Sequence, residues 1–404
     1  MTNSISGSKV LNGKVNLKGS YSLSSYFLSL SGFSSLNHAI SNTSESYGIS
    51  TLKELIANKQ NLKEININFS EDWEVIFAIP PLVYKGYKVN LLYEKEEAGN
   101  ILGIRGVANL CLVGPSINGK IVFQKELKIE DSLKIDGSKM PTDLFIFTVL
   151  LCLALDTKLT VLNVPQDPRI TVFLRTLENL SLGNIDYDPS NFGNFSLITG
   201  KSLDFSIDIN IFPSLNQSIF FLLLSGCGGV VSLLDTDPSL LLPINSKLNN
   251  LGVNVETSSK TEIKVWGVPS LQEQVLNIEI KPYPGFDMSW GLLFLVYLAF
   301  FGINASIKFP ANFGISRFVF DLNRLGASLE IIQSELFDTI IVGKGSIKGG
   351  KKIILEERRF VLPYLLFALL MPGKTTIVNF DLVKTYYGDL LENLNLLGAD
   401  IKPS

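Results

Sequence analysis

A phrase of the form Leu-x-x-Leu-Gly returns along this chain as LNNLGVNVE (248–256), LNRLGASLE (322–330) and LNLLGADIK (394–402), with a weaker copy at LENLSLGNID (177–186). Its glycines stand at 183, 252, 326 and 398, at intervals of 69, 74 and 72 residues. Spacing this regular marks an internal repeat, and the period is too long for a solenoid turn, so each copy is a module with helices and strands of its own. The leucines read as a helix end, the glycine as its cap, and the residues after it as a strand.

A second landmark keeps step with the first. An apolar helix opens after a polar or charged residue near Ser22, Asp72, Thr142, Asn216, Asp287 and Arg359, which makes six modules. Between these openings lie β-branched or alternating runs that read as strands: Lys63–Phe69, Lys158–Leu162, Ser206–Ile211, Asn277–Lys281, Thr339–Val342 and Thr375–Val378. Six helices this apolar must be covered on nearly all sides. The expected fold is therefore a mixed α/β one of two domains, each an inside-out barrel of three βαβαββ-type repeats with buried helices and outer sheets. The leading strand Lys9–Lys18 precedes the first helix and is expected to pair with the second half, so residues 21–213 form one domain and residues 1–20 with 214–404 the other.

Length agrees, since 404 residues suit two cores better than one. With 46% apolar and 18% charged residues a membrane span has to be considered. The best candidate, Ser289–Ile303, is about 15 residues long against the roughly 20 that spanning needs, so it reads as a buried core helix. The first residues lack the apolar stretch of a secretory signal, which points to the cytoplasm. Cys111, Cys152 and Cys227 lie in apolar surroundings without CxxC pairing and read as reduced core residues, not zinc ligands. A net charge of −3 with no basic cluster gives no footprint for nucleic acid and leaves a small-molecule substrate as the default. His38 reads as a structural residue, and a monomer is expected.

Local phrases in this framework resemble the enolpyruvyl transferase family, whose two best-known members act on shikimate 3-phosphate and on UDP-N-acetylglucosamine. GKVNLKGSYSLSSYFL (13–28) is similar to the family's opening and LKIDGSKMPTDLF (133–145) to the segment before its Ser-Ser-Gln motif, a likeness that DTKLTVLNVPQDPRITVFL (156–174) continues. PYPGFDMSWG (282–291) resembles the segment with the catalytic acid, GISRF (314–318) and EERRF (356–360) those with two phosphoenolpyruvate-binding arginines, and KTYYGDLLENLNLLGA (384–399) the last helix with its Lys-Thr entrance. The resemblance implies catalytic roles for Asp287 and Lys384. It implies substrate-binding roles for Arg317, Arg359, Ser22, Tyr21 and Arg105, in a cleft between the domains. Phosphoenolpyruvate carries up to three negative charges, which guanidinium forks and an ammonium suit, and one carboxylate can move the protons of addition and elimination. No metal or organic cofactor is implied.

The N-terminal half departs from the family pattern. Tyr21 stands where the opening lysine belongs, Trp73 about where an arginine is expected, Met140-Pro141-Thr142 replaces Ser-Ser-Gln, and the shortened loop Glu94–Arg105 has no cysteine. PSLNQSIFFL (213–222) lacks an acidic residue. Three functional expectations result: a transferase nearest the shikimate 3-phosphate branch, one nearest the UDP-N-acetylglucosamine branch, or a non-catalytic paralogue that keeps the fold as a binding or scaffold protein.

Overall fold

A computed structural model describes residues 1–7, 9–57, 64–68, 73–93, 120–124, 132–186, 193–198, 200, 203–270, 275–281, 283 and 285–403. Arg105, Cys111 and the Glu94–Arg105 loop lie outside the described residues. The chain divides into two compact units, one of residues 1–18 with 212–404 and one of residues 19–211.

One plan generates the sheets of the first unit. A strand enters a buried helix, a second strand returns parallel to the first, an outer helix comes next, and a hairpin completes four strands. In its clearest copy Leu276–Glu279 pairs in parallel with Ala305–Pro310 across the helix Met288–Phe301, and the hairpin Ser328–Gln333 and Phe337–Gly343 adds two antiparallel strands. The second copy is split in sequence. Asn12–Asn16 lies parallel to Val230–Leu234, with Val15 opposite Leu233, so the whole second unit is inserted between its first strand and its buried helix Leu215–Ser225. The third copy is closed from far away: Lys352–Ile354 pairs with Gly373–Val378, and the last hairpin strand is Thr2–Gly7, antiparallel to both Gly373–Val378 and Asp400–Pro403.

The second unit repeats the plan. Ser132–Asp136, Lys158–Leu162, Asn194–Leu197 and Gly183–Asp186 form one four-stranded sheet, Glu64–Asn68 with Lys88–Leu92 and Lys120–Phe123 a second, and Asp208–Asn210 with Ala39–Ser41 a third.

Packing is set by the helices' composition. Every residue is buried from Trp290 to Ala299, from Phe360 to Leu370, from Gln217 to Ser225 and, in the second unit, from Phe145 to Ala154. Helices apolar all round are stable in water only at the centre of a core, and each fully buried Leu or Phe contributes about 1.5–3 kcal/mol. The outer helix Ser316–Arg324 instead buries only Phe318, Val319 and Leu322. Where the central helices crowd, small residues admit large ones: Tyr297 donates to the Gly226 carbonyl at 2.8 Å, and a Cβ on Gly226 would stand 2.6 Å from that phenol oxygen. The 14-residue span Met288–Phe301 is core, and no helix among the described residues is long and apolar enough to cross a membrane.

The repeated phrase is a helix C-terminus turned by a left-handed residue, Gly252 (φ +81), Gly326 (φ +105) and Gly398 (φ +91). The weak copy departs from the expected pattern. Its left-handed residue is Ser181 (φ 58), whereas Gly183 already belongs to the next strand, where a Cβ would stand 2.4 Å from the Phe195 ring.

Candidate active site

Helix starts carry most of the singled-out residues. In the first unit Asp287 caps Met288–Phe301: its Oδ1 accepts from the Ser289 amide at 2.9 Å and the Ser289 hydroxyl at 2.5 Å. The same hydroxyl lies 2.9 Å from Asn216 Oδ1, tying this helix start to that of Leu215–Ser225. Next to Asn216, Gln217 is buried and reaches Asp389 at 3.5 Å. Asp287 is partly exposed, and both Ser289 bonds use one carboxylate oxygen, Oδ1.

Two arginines gather around a different helix start. Arg359, in the first turn of Arg358–Leu370, gives Nε to Glu357 at 2.7 Å and Nη1 to the Phe313 carbonyl at 2.5 Å. Its guanidinium also lies 4.9 and 4.6 Å from the ring centres of Phe313 and Phe360, a cation–π arrangement. Gly314, left-handed at φ +71, keeps the backbone beside it clear of a side chain. Arg317 pairs with Glu356 at 2.5 Å. Below it Tyr364 donates to Asp321 at 3.0 Å, and Arg324 approaches Asp321 at 3.4 Å. Burial first, and the Asp321 carboxylate second, push the Tyr364 phenol far above its usual range. Arg317, Glu356, Asp321, Arg324 and Tyr364 line a cavity of about 140 Å³. Arg317 and Arg359 thus pair with the adjacent carboxylates Glu356 and Glu357 at one helix start. Asp287 belongs to a separate network, and Lys384 is exposed, its Nζ 3.2 Å from Met1 Sδ.

In the second unit Tyr21 and Ser22 open the helix Tyr21–Ser31, capped by Ser20, with Ser22 buried and its carbonyl accepting from Ser25 at 2.7 Å. The motifs singled out in the sequence missed a polar cluster one turn further along. Tyr26, fully buried, donates its phenol to Asp143, next to Thr142 at the start of Thr142–Ala154. Asp167 caps Pro168–Asn179 and holds Arg169 through Nε at 3.0 Å and Nη2 at 2.6 Å, while accepting the Thr142 hydroxyl at 2.7 Å. Burial first, then the Asp143 carboxylate, pushes the Tyr26 phenol well above its ordinary value. Asp143 is raised by burial, only partly offset by Arg169 and the Tyr26 bond, with Glu74 and Asp167 adding negative charge nearby. For Asp167 the burial penalty is outweighed by Arg169 and its hydrogen bonds, which hold the carboxyl below the usual range. Two neighbouring carboxyls whose surroundings shift them in opposite directions are an arrangement suited to proton handling or to binding hydroxyls. The signal was legible: an Asp inside the first turn of an otherwise apolar helix, and Asp-Pro-Arg at the start of the next.

Repeated βαβαββ modules around buried helices, grouped three to a unit, define an α/β protein with the fold of the enolpyruvyl transferases. Over 99% of its length the chain matches the enolpyruvyl transferase NikO from Streptomyces tendae, covering 98% of that protein with a TM-score of 0.78 at 17% identity. EPSP synthase from Acinetobacter baumannii aligns over the full length of both chains with a TM-score of 0.72 at 14% identity. In sequence the chain is 28% identical over 180 residues to UDP-N-acetylglucosamine 1-carboxyvinyltransferase 2 from Staphylococcus aureus, a match spanning 44% of this chain and 40% of that relative. No family model matches the chain.

Proposed function

We propose that the protein transfers the enolpyruvyl group of phosphoenolpyruvate to a hydroxyl of a small-molecule acceptor and releases phosphate. The observation that carries this reading is the pairing of Arg317 and Arg359 with the adjacent carboxylates Glu356 and Glu357 at one helix start, in a unit where another helix start presents Asp287. Two guanidinium forks suit the phosphate and carboxylate of phosphoenolpyruvate. The Asp287 carboxyl is the group to deliver a proton to the enol methylene during addition and to take one back during elimination, while the proton of the acceptor hydroxyl leaves with the phosphate. Lys384 supplies a further cation from the helix Asp381–Leu396. In the second unit Tyr21, Ser22 and Arg105 are the residues proposed for substrate. The acceptor is proposed to be nearest shikimate 3-phosphate, on the final-helix phrase and the loop without cysteine. UDP-N-acetylglucosamine is its rival, supported by the relative that matches in sequence.

A second reading has its own support. Tyr21 cannot supply the positive charge of a lysine, and each candidate arginine already has a carboxylate partner, as suits a paralogue that keeps the fold without the reaction. Calorimetric titration with phosphoenolpyruvate, alone and with each acceptor, and then a phosphate-release assay, separates the two. Release that disappears in Asp287→Ala supports the transferase, and absence of binding and release with every pair leaves the non-catalytic reading.

A further inference from the structure

Arg317 and Arg359 are held in different ways. The Arg359 guanidinium is fixed by Glu357, by the Phe313 carbonyl and between two aromatic rings. Arg317 reaches Glu356 at 2.5 Å across an open surface, with 65% and 44% of the two side chains exposed. Exposed pairs of this kind are weak and exchange readily. The other acid near Arg317, Asp321, is already engaged by the Tyr364 phenol and by Arg324. Glu356 is therefore the carboxylate with which an incoming anion competes at Arg317.

We infer that Glu356 is a built-in competitor: its carboxylate occupies Arg317 in the free protein and lowers the affinity for every anion that uses this arginine. This deepens the proposed function, because it names a residue that sets the affinity of the same anion site. A monoanion that replaces Glu356 exchanges one carboxylate contact for another and gains nothing. Glu356 also stands beside Glu357 in the chain, so one strand-to-helix connection supplies the counter-charges of both Arg317 and Arg359.

The test is calorimetric titration of the intact protein with phosphoenolpyruvate and, separately, inorganic phosphate, using wild type, Glu356→Gln, Arg317→Ala and the double variant. Glu335→Gln, at an exposed hairpin turn, is the control. Glu356→Gln is expected to tighten binding about threefold, the scale of an exposed ion pair, and Glu335→Gln to leave it unchanged. In the Arg317→Ala background Glu356→Gln is expected to change nothing, because the competitor then has nothing to occupy. A Glu356→Gln protein that binds no tighter, an equal gain without Arg317, or no binding of either anion to any variant overturns the inference. Phosphate binding that shows this pattern while phosphoenolpyruvate fails to bind overturns the transferase reading and leaves the competitor standing.

Discussion

The Asp167 carboxylate grips Arg169 through Nε at 3.0 Å and Nη2 at 2.6 Å, with side chains only 13% and 26% exposed. Because the Asp167 carboxyl is held below its usual range, folding favours its ionised form. The stability it supplies is present above the unfolded value near 3.9 and is lost as pH falls through the folded value. Asp167→Asn should cost about 1.5–3 kcal/mol at neutral pH, the worth of a charged hydrogen bond, and should flatten the acid limb of stability below about pH 4. Urea midpoints measured across the acid range check both statements.

Asp143 lies one residue from Thr142, whose hydroxyl Asp167 accepts, and it carries the opposite sign. Its folded-state carboxyl is raised by burial, so its contribution is present below the unfolded value and lost as pH rises through the folded one. Asp143→Asn stays neutral throughout and still offers Tyr26 an acceptor oxygen. The variant should gain on wild type as pH climbs above about 4, the unfolded value, a divergence readable as a growing difference in Tm. Equal pH slopes in the two proteins would sink this account.

The repeat offers a stability test that touches no site. Ser181 holds the left-handed turn that glycine holds in the other copies, and a left-handed non-glycine residue costs roughly 1–2 kcal/mol per residue. Ser181→Gly should recover part of that, about 0.5–1 kcal/mol after the extra freedom of the unfolded glycine is charged against it. Gly326→Ala should lose more than Gly398→Ala. Both have positive φ, but a Cβ at 326 would stand 2.4 Å from the Ser346 carbonyl oxygen whereas at 398 it meets open space. Denaturant unfolding ranks the three.

Much of this architecture was legible in the chain because its buried helices are apolar on every face and its outer helices end in the same phrase. The Thr2–Gly7 strand was not legible. TNSISG is mostly polar, and its partners Gly373–Val378 and Asp400–Pro403 lie at the far end of the chain, so no local pattern announces the pairing. The fourth repeat copy misled for a related reason: LSLG contains a glycine, but the turn falls on the serine two residues earlier. At the site, Asp287 was readable as a cap and as a candidate acid together, since a carboxylate at a helix start suits both roles. The grip of Glu356 on Arg317 was not, because residues 39 positions apart meet only once the hairpin between them has folded.

Asp287 is where cap and chemistry can be pulled apart. Asn is as good an N-cap as Asp, since its side-chain oxygen still accepts the Ser289 amide, but it cannot carry a proton between enol carbon and acceptor. Ala loses both. If Asp287 is the general acid and base, Asp287→Asn should keep the wild-type Tm to within a degree or two while phosphate release falls by about 10²–10⁴-fold. Asp287→Ala should lose activity to the same extent and about 1 kcal/mol of stability besides. If Asp287 only caps the helix, Asp287→Asn should be silent in both assays, and Asp287→Ala should lower Tm without a matching loss of turnover at a temperature where the protein stays folded.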